Sequence, residues 1–93
     1  MTAMSFGHAL EALKAGHKVA RAGWNGRGLW LMLVRSTWEA EDDEPAYVVA
    51  GGPPDREGLK MLPWIGMKTA DNGFVPWLCS QTDALAEDWS IVE

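Results

Sequence analysis

Cysteine occurs once in these 93 residues, at Cys79, which excludes an internal disulfide. No pair of cysteine or histidine residues has the spacing of a zinc finger or a metalloprotease, so no metal and no cofactor is expected. Long apolar runs are missing as well. The longest, Leu29 to Val34, falls far short of the roughly 20 residues that span a bilayer. No basic segment followed by an apolar one opens the chain, and with a single thiol the expected compartment is the cytoplasm. Basic residues are scarce, eight against thirteen acidic, and a net charge of -5 argues against holding DNA or RNA polymers by phosphate neutralisation. The length leaves no room for two domains, so residues 1–93 are expected to form one. A chain this short buries only about 60 to 65% of the surface its unfolded form exposes. With disulfides and metal set aside, self-association is the expected additional stabiliser.

Tryptophan is what the sequence has in excess: six, against one tyrosine and two phenylalanines. Its large amphipathic ring concentrates at interfaces and stacking sites, although two or three of six would be ordinary core residues. Charge is unevenly spread. Lys14, Lys18, Arg21, Arg27 and Arg35 stand against Glu11 alone in residues 1–35, a net of +4 that leaves -9 for residues 36–93. Five of the acids fall together at Glu39, Glu41, Asp42, Asp43 and Glu44 and read as a solvated loop.

The pattern predicts an α+β fold. Ser5 precedes Phe6, Leu10 and Leu13 at i, i+4 and i+7, with Gly16 beyond, which is an amphipathic helix with an N-cap and a glycine stop. His17 to Ala22 reads as a short strand, closed by the Gly23 to Gly28 segment, whose Asn25-Gly26 pair signals a hairpin. Leu29 to Val34 follows as a strand covered on both faces, by the helix and by a neighbouring subunit. Further strands are expected at Ala46 to Ala50, at Leu62 to Ala70 on an edge or with a bulge because of Pro63, and at Phe74 to Trp77. Ser80 to Asp83 has the form of a capping box, opening a short C-terminal helix through Ala86, and Trp89 to Val92 alternates as a terminal strand. The expected sheet is antiparallel with glycine-rich hairpin turns, and a variable acidic, Gly/Pro-rich insertion occupies about residues 36–60.

Two turns carry candidate ligand chemistry. In Gly23 to Gly28 the glycines allow close backbone approach, successive amides can form an anion nest, Arg27 can fork onto phosphate and Trp24 offers a stacking ring. The spacing is neither a Walker loop nor a dinucleotide fingerprint, and a hairpin with a packed Trp and a solvated Arg has the same composition. In Thr69 to Gly73 a hydroxyl, a carboxylate and an amide side chain could read ribose hydroxyls and base edges, as many ordinary turns could. Catalytic groups do not assemble. His8 and His17 read as helix-surface residues, the neighbouring Glu87 and Asp88 would point different ways on a helix, and Cys79 is expected as a small buried thiol.

Three blocks, taken together, go further: Met4-Ser5-Phe6-Gly7-His8-Ala9-Leu10 to Lys14-Ala15-Gly16; Val19-Ala20-Arg21-Ala22-Gly23-Trp24-Asn25-Gly26; and Met67-Lys68-Thr69-Ala70-Asp71 through Val75-Pro76-Trp77, Ser80-Gln81-Thr82-Asp83 and Leu85-Ala86-Glu87-Asp88-Trp89. This set resembles the phage Thoeris anti-defence sponge family, the second of that name, formerly a domain of unknown function. The resemblance implies a non-enzymatic homotetramer that sequesters glycocyclic ADP-ribose in the cytoplasm of the infected bacterium, so that the Thoeris effector is never activated. Some members of such a family also hold cyclic oligonucleotides at separate sites. On this pattern Phe6 and Trp24 would flank adenine, with Asn25 beside them. Arg27 would meet the pyrophosphate, and Thr69, Ala70 and Asp71 or Asn72 would bond phosphate or ribose. A nucleotide-hydrolysing enzyme or a host-protein interaction module are the alternatives.

Overall fold

The structure is a computed structural model and describes residues 3–24, 27–35 and 62–92. The first helix, α1 (Phe6–Lys14), begins where the Ser5 hydroxyl accepts the His8 N–H at 3.3 Å. It ends with paired back-bonds, Gly16 N–H to the Leu13 carbonyl and His17 N–H to the Ala12 carbonyl, with Gly16 at φ 97°. That left-handed position is why a glycine stops the helix there. Ala9 and Leu13 are fully buried, and Phe6, Leu10 and Ala12 pack around them, so the predicted apolar stripe is the one that meets the sheet.

Strands β1 (Lys18–Arg21), β2 (Trp30–Val34), β3 (Trp64–Lys68), β4 (Phe74–Pro76) and β5 (Trp89–Val92) form an antiparallel sheet in the order β4-β3-β2-β1-β5. A second short helix, α2 (Gln81–Leu85), lies in the connection that carries the chain from the β4 edge to the β5 edge. The fold is the expected α+β class. Val19, Leu31 and Trp89 are buried beneath α1, with Leu33, Ile65, Met67, Trp77 and Ile91 packed against them on the same face by strand alternation. The other face carries a row of rings in which Phe74 stands between Trp30 and Trp64, with centroids 6.3 and 6.0 Å away. Lys18 lies 4.7 Å over Trp30. Gly66 makes this row possible, since a Cβ there would collide with the Phe74 ring.

Two expectations are corrected. Pro63 stands outside β3, so its missing N–H interrupts no ladder, and β3 is an inner strand flanked by β2 and β4. The link between β1 and β2 joins two consecutive antiparallel strands, the hairpin that the sequence signals. Residues 22–29 separate the strands, and Ala22–Trp24 form a 3-10 turn, because Asp88 captures the Ala22 and Gly23 amides on the β5 side. The Ser80 hydroxyl does cap α2, accepting the Asp83 N–H at 3.0 Å, but the Asp83 carboxylate turns to Arg21, so the box is one-sided. The expected strand at Ala46 to Ala50 and the insertion at about 36–60 lie outside the described residues, as do Asn25 and Gly26.

Candidate functional site

The antiparallel ladders bring the candidate segments to one end of the sheet. β1 ends there beside the start of β5, pairing Arg21 with Trp89, and β2 begins there beside the end of β3, pairing Trp30 with Lys68. The chain entering α1 joins the same end through the Met4–Trp89 bridge. What gathers there is an aromatic group on the helix side and a polar group at the β3–β4 turn.

Trp89 is the centre of the aromatic group. It is fully buried, and its indole N–H donates to the Asp83 carbonyl at 3.0 Å. Phe6 lies against it with centroids 5.2 Å apart, and Trp24 meets it edge-to-face at 5.3 Å. Trp77 closes the cluster, 5.8 Å from Phe6 and 6.0 Å from Trp89. Phe6 and Trp24 are both half-buried, each packed on Trp89 and still partly accessible. The edge-to-face contact restrains the Trp24 ring and the tilted contact restrains Phe6, which lowers the entropy that ordering either ring would cost.

In the polar group, the Thr69 hydroxyl accepts the Gly73 N–H at 2.7 Å and donates to Asp71 Oδ1 at 2.5 Å. The Thr69 carbonyl accepts the Asn72 N–H, and Asn72 takes a left-handed φ of 70°. The hydroxyl is therefore committed to shaping the turn, while Ala70, Asp71 and Asn72 are exposed at its tip. The Thr69 hydrogen bond, followed by backbone donors, holds the Asp71 carboxyl below the usual carboxylate range. Asp71 is a firm anion, which would repel a phosphate and leaves Asn72 as the better neighbour for one.

Lys68 joins this turn to the Gly23–Gly28 segment. Its ammonium donates to the Gly28 carbonyl at 2.9 Å and to the Thr69 carbonyl at 3.1 Å. Both turns thus share one cation, and Arg27, exposed and without an ion pair among the described residues, stands one residue from the bridged carbonyl. Sequence reasoning gave Lys68 no role. The signal available was its place at the end of a strand directly before the candidate turn. The first amide of the segment read as an anion nest is already engaged. The Ala22 and Gly23 amides already bond to Asp88, through its carbonyl at 3.0 Å and its Oδ2 at 2.8 Å. A carboxylate of the protein itself thus occupies the Gly23 amide, and a main-chain carbonyl occupies the Ala22 amide.

Asp88 in turn binds Arg21, whose Nε donates to Oδ1 at 2.8 Å and whose Nη1 donates to Asp83 Oδ1 at 2.7 Å. Side-chain hydrogen bonds from Arg21, ahead of opposing desolvation, hold the Asp88 carboxyl below its usual range. The same bonds to Asp88 and Asp83 raise the Arg21 pKa. The sequence marks Asp83 only as part of a capping box and Arg21 only as one of the basic residues near the start, because partners 62 and 67 positions apart show no local pattern.

Candidate catalytic groups stay apart. His8 is exposed, and its Nδ1 lies 3.3 Å from the Ser5 hydroxyl that caps its own helix. Cys79 is exposed, which corrects the expected buried thiol. Partial desolvation of its sulfur, then the Asp83 charge, push its pKa up, so at neutral pH it stays a thiol and not a nucleophilic thiolate. No group of metal-ligating side chains occurs among the described residues, and none of their helices is long and apolar enough to cross a membrane.

A family model described as the Thoeris anti-defense 2-like domain matches residues 4–92, an interval that takes in both turns, the aromatic group and β5. The chain belongs to the Thoeris anti-defense 2-like family. It is similar to Thoeris anti-defense 2 from Bacillus phage SP01, with 45% identity over 91 residues, 98% of this chain and 97% of that protein. Membership in the family supports a phage anti-defence role, and the likeness extends over the full set of elements described here.

Proposed function

We propose that this member of the family is a non-catalytic sponge for a cyclic ADP-ribose-type immune signal, glycocyclic ADP-ribose, which it withholds from the Thoeris effector. One observation carries the reading. A rigid, partly exposed aromatic group, Phe6 and Trp24 on Trp89, stands at the same sheet end as two turns joined by the Lys68 ammonium. The rings suit adenine. Arg27 and Lys68 suit a pyrophosphate, Asn72 and the Ala70 main chain suit phosphate or ribose, Asp71 suits a ribose hydroxyl, Thr69 shapes the turn that presents them, and Asn25 completes the set read from the sequence. Lys68 therefore joins the set read from the sequence.

A sponge must bind below the working level of its signal, and nanomolar affinity corresponds to about -12 kcal/mol. Base stacking is worth about 1 to 3 kcal/mol per base, and a charged hydrogen bond about 1.5 to 3 kcal/mol, so several contacts must act together. A pocket enclosed between subunits of a homotetramer would combine them. Exposed Phe74, Val75, Leu78 and Leu85 are apolar surface available for that assembly.

The test is recovery of the ligand. Protein is incubated with glycocyclic ADP-ribose, separated from free nucleotide and heated, and the supernatant is assayed by mass spectrometry and on a Thoeris effector. Intact nucleotide that activates the effector is the expected result. A degraded nucleotide would make the protein a hydrolase, and failure to deplete nucleotide would favour a host-protein interaction module.

A further inference from the structure

The densest polar contacts among the described residues lie immediately before Trp24. Arg21 Nε and Nη2 donate to Asp88 Oδ1 and Oδ2 at 2.8 and 3.4 Å, while Nη1 donates to Asp83 Oδ1 at 2.7 Å. Asp88 Oδ2 also accepts the Gly23 N–H at 2.8 Å, and the Asp88 carbonyl accepts the Ala22 N–H at 3.0 Å. Two consecutive amides leading into Trp24 are thus fixed by one residue, which is the immediate neighbour of Trp89. Asp83 reaches the same joint from α2 by accepting the Trp89 indole N–H on its carbonyl. Both rings of the Trp24–Trp89 pair are referenced to Arg21.

We infer that Arg21 and Asp88 are positioning residues for ligand recognition, setting the angle and depth at which Trp24 presents its ring. The inference rests on the reading of Trp24 as the base-stacking residue. A guanidinium fork and a backbone amide on one carboxylate define distance and direction together, which a point charge such as lysine cannot reproduce. Gly23 fits this joint because it has no side chain. A Cβ there would stand 3.0 Å from Arg21 Nη2 and 3.1 Å from Asp88 Oδ2. A pair that served stability alone would not need a compressed turn placed on top of it. Nor would it need to bond the two amides that aim the next side chain.

The experiment uses 5-fluorotryptophan-labelled protein, with the Trp24 fluorine resonance assigned through Trp24→Phe, and calorimetric titration with glycocyclic ADP-ribose. Arg21→Lys and Asp88→Asn should move or double the Trp24 resonance while Trp30 and Trp64 stay in place, and should raise the dissociation constant about 10-fold, part of what a misplaced stacking ring forfeits. Gly23→Ala keeps both charges and presses on the same joint, so it should give the same pair of changes if a charge variant does not fold. Lys14→Gln, on an exposed pair with Glu11, is the control and should change neither. The inference is overturned if folded Asp88→Asn or Gly23→Ala protein keeps the wild-type Trp24 resonance and affinity. Wild-type protein that binds no glycocyclic ADP-ribose at all would instead defeat the ligand reading, a result distinct from any behaviour of the variants.

Discussion

Trp24 packs half-buried against Trp89 and, on the proposed reading, also stacks on the ligand with its accessible part, so one substitution tests both roles. Trp24→Ala should weaken binding of glycocyclic ADP-ribose by about 1 to 3 kcal/mol, roughly 5- to 150-fold. The stability loss should stay below the about 3 to 5 kcal/mol of a fully buried aromatic truncation. Calorimetry and size-exclusion chromatography on the same variant separate these effects. Wild-type affinity would remove Trp24 from the site, and loss of assembly would make the binding result uninformative about contact. Trp24 and the Thr69 turn stood out as candidates in the sequence because ring type, glycine and turn chemistry are local signals, whereas Phe6 joined them only through the family resemblance. Lys68 and Arg21 were not legible, since their meaning lies in partners that only the sheet brings near. Cys79 went the other way: its residue type favours burial, but it sits exposed on the crossing segment.

The secondary-structure elements add a dependence on acid. Asp88 has a folded-state pKa below its unfolded value of about 3.9, so its contribution to stability is complete at neutral pH and disappears as pH falls through the depressed folded value. Arg21, raised from an already high value, contributes throughout this range. Urea unfolding should therefore show little change between about pH 7 and 5 and a decline below about pH 4, with a shallower decline in Asp88→Asn. A flat acid limb in the wild-type protein would remove Asp88 from that role. The caps offer a second measurement. α2 has only five residues, and Ser80→Ala should cost about 1 kcal/mol by the same method, since the hydroxyl accepts one of its few terminal amides. Helix limits were readable because caps are short-range features: Ser5, Gly16 and Ser80 all act as their residue types suggest. Strand neighbours were less readable. Pro63 suggested an edge, but edge position is decided by which strands pair, and Phe74–Pro76 takes that place instead.

For the whole molecule, light scattering at micromolar concentration should give a mass near four chains. Leu78 and Leu85 are 91% and 78% exposed, so Leu78→Asp with Leu85→Asp should shift the mass downward while leaving the melting of each subunit nearly intact. A wild-type monomer would sink the shared-pocket proposal, and an unaffected tetramer in the double variant would place the contact elsewhere. The strand order β4-β3-β2-β1-β5 has a consequence for how the protein comes into being. Arg21 waits for a partner 67 residues further along, and Trp89, the largest fully buried side chain among the described residues, arrives with the same late segment. Such distant pairing carries a loop-closure cost that slows folding relative to chains held by local contacts. At about 5 to 20 residues per second of synthesis, the turn before Trp24 spends seconds outside its final geometry while its counterion is still being made. On the proposed reading, a nascent chain would be unable to hold the nucleotide, and binding competence would follow the docking of β5.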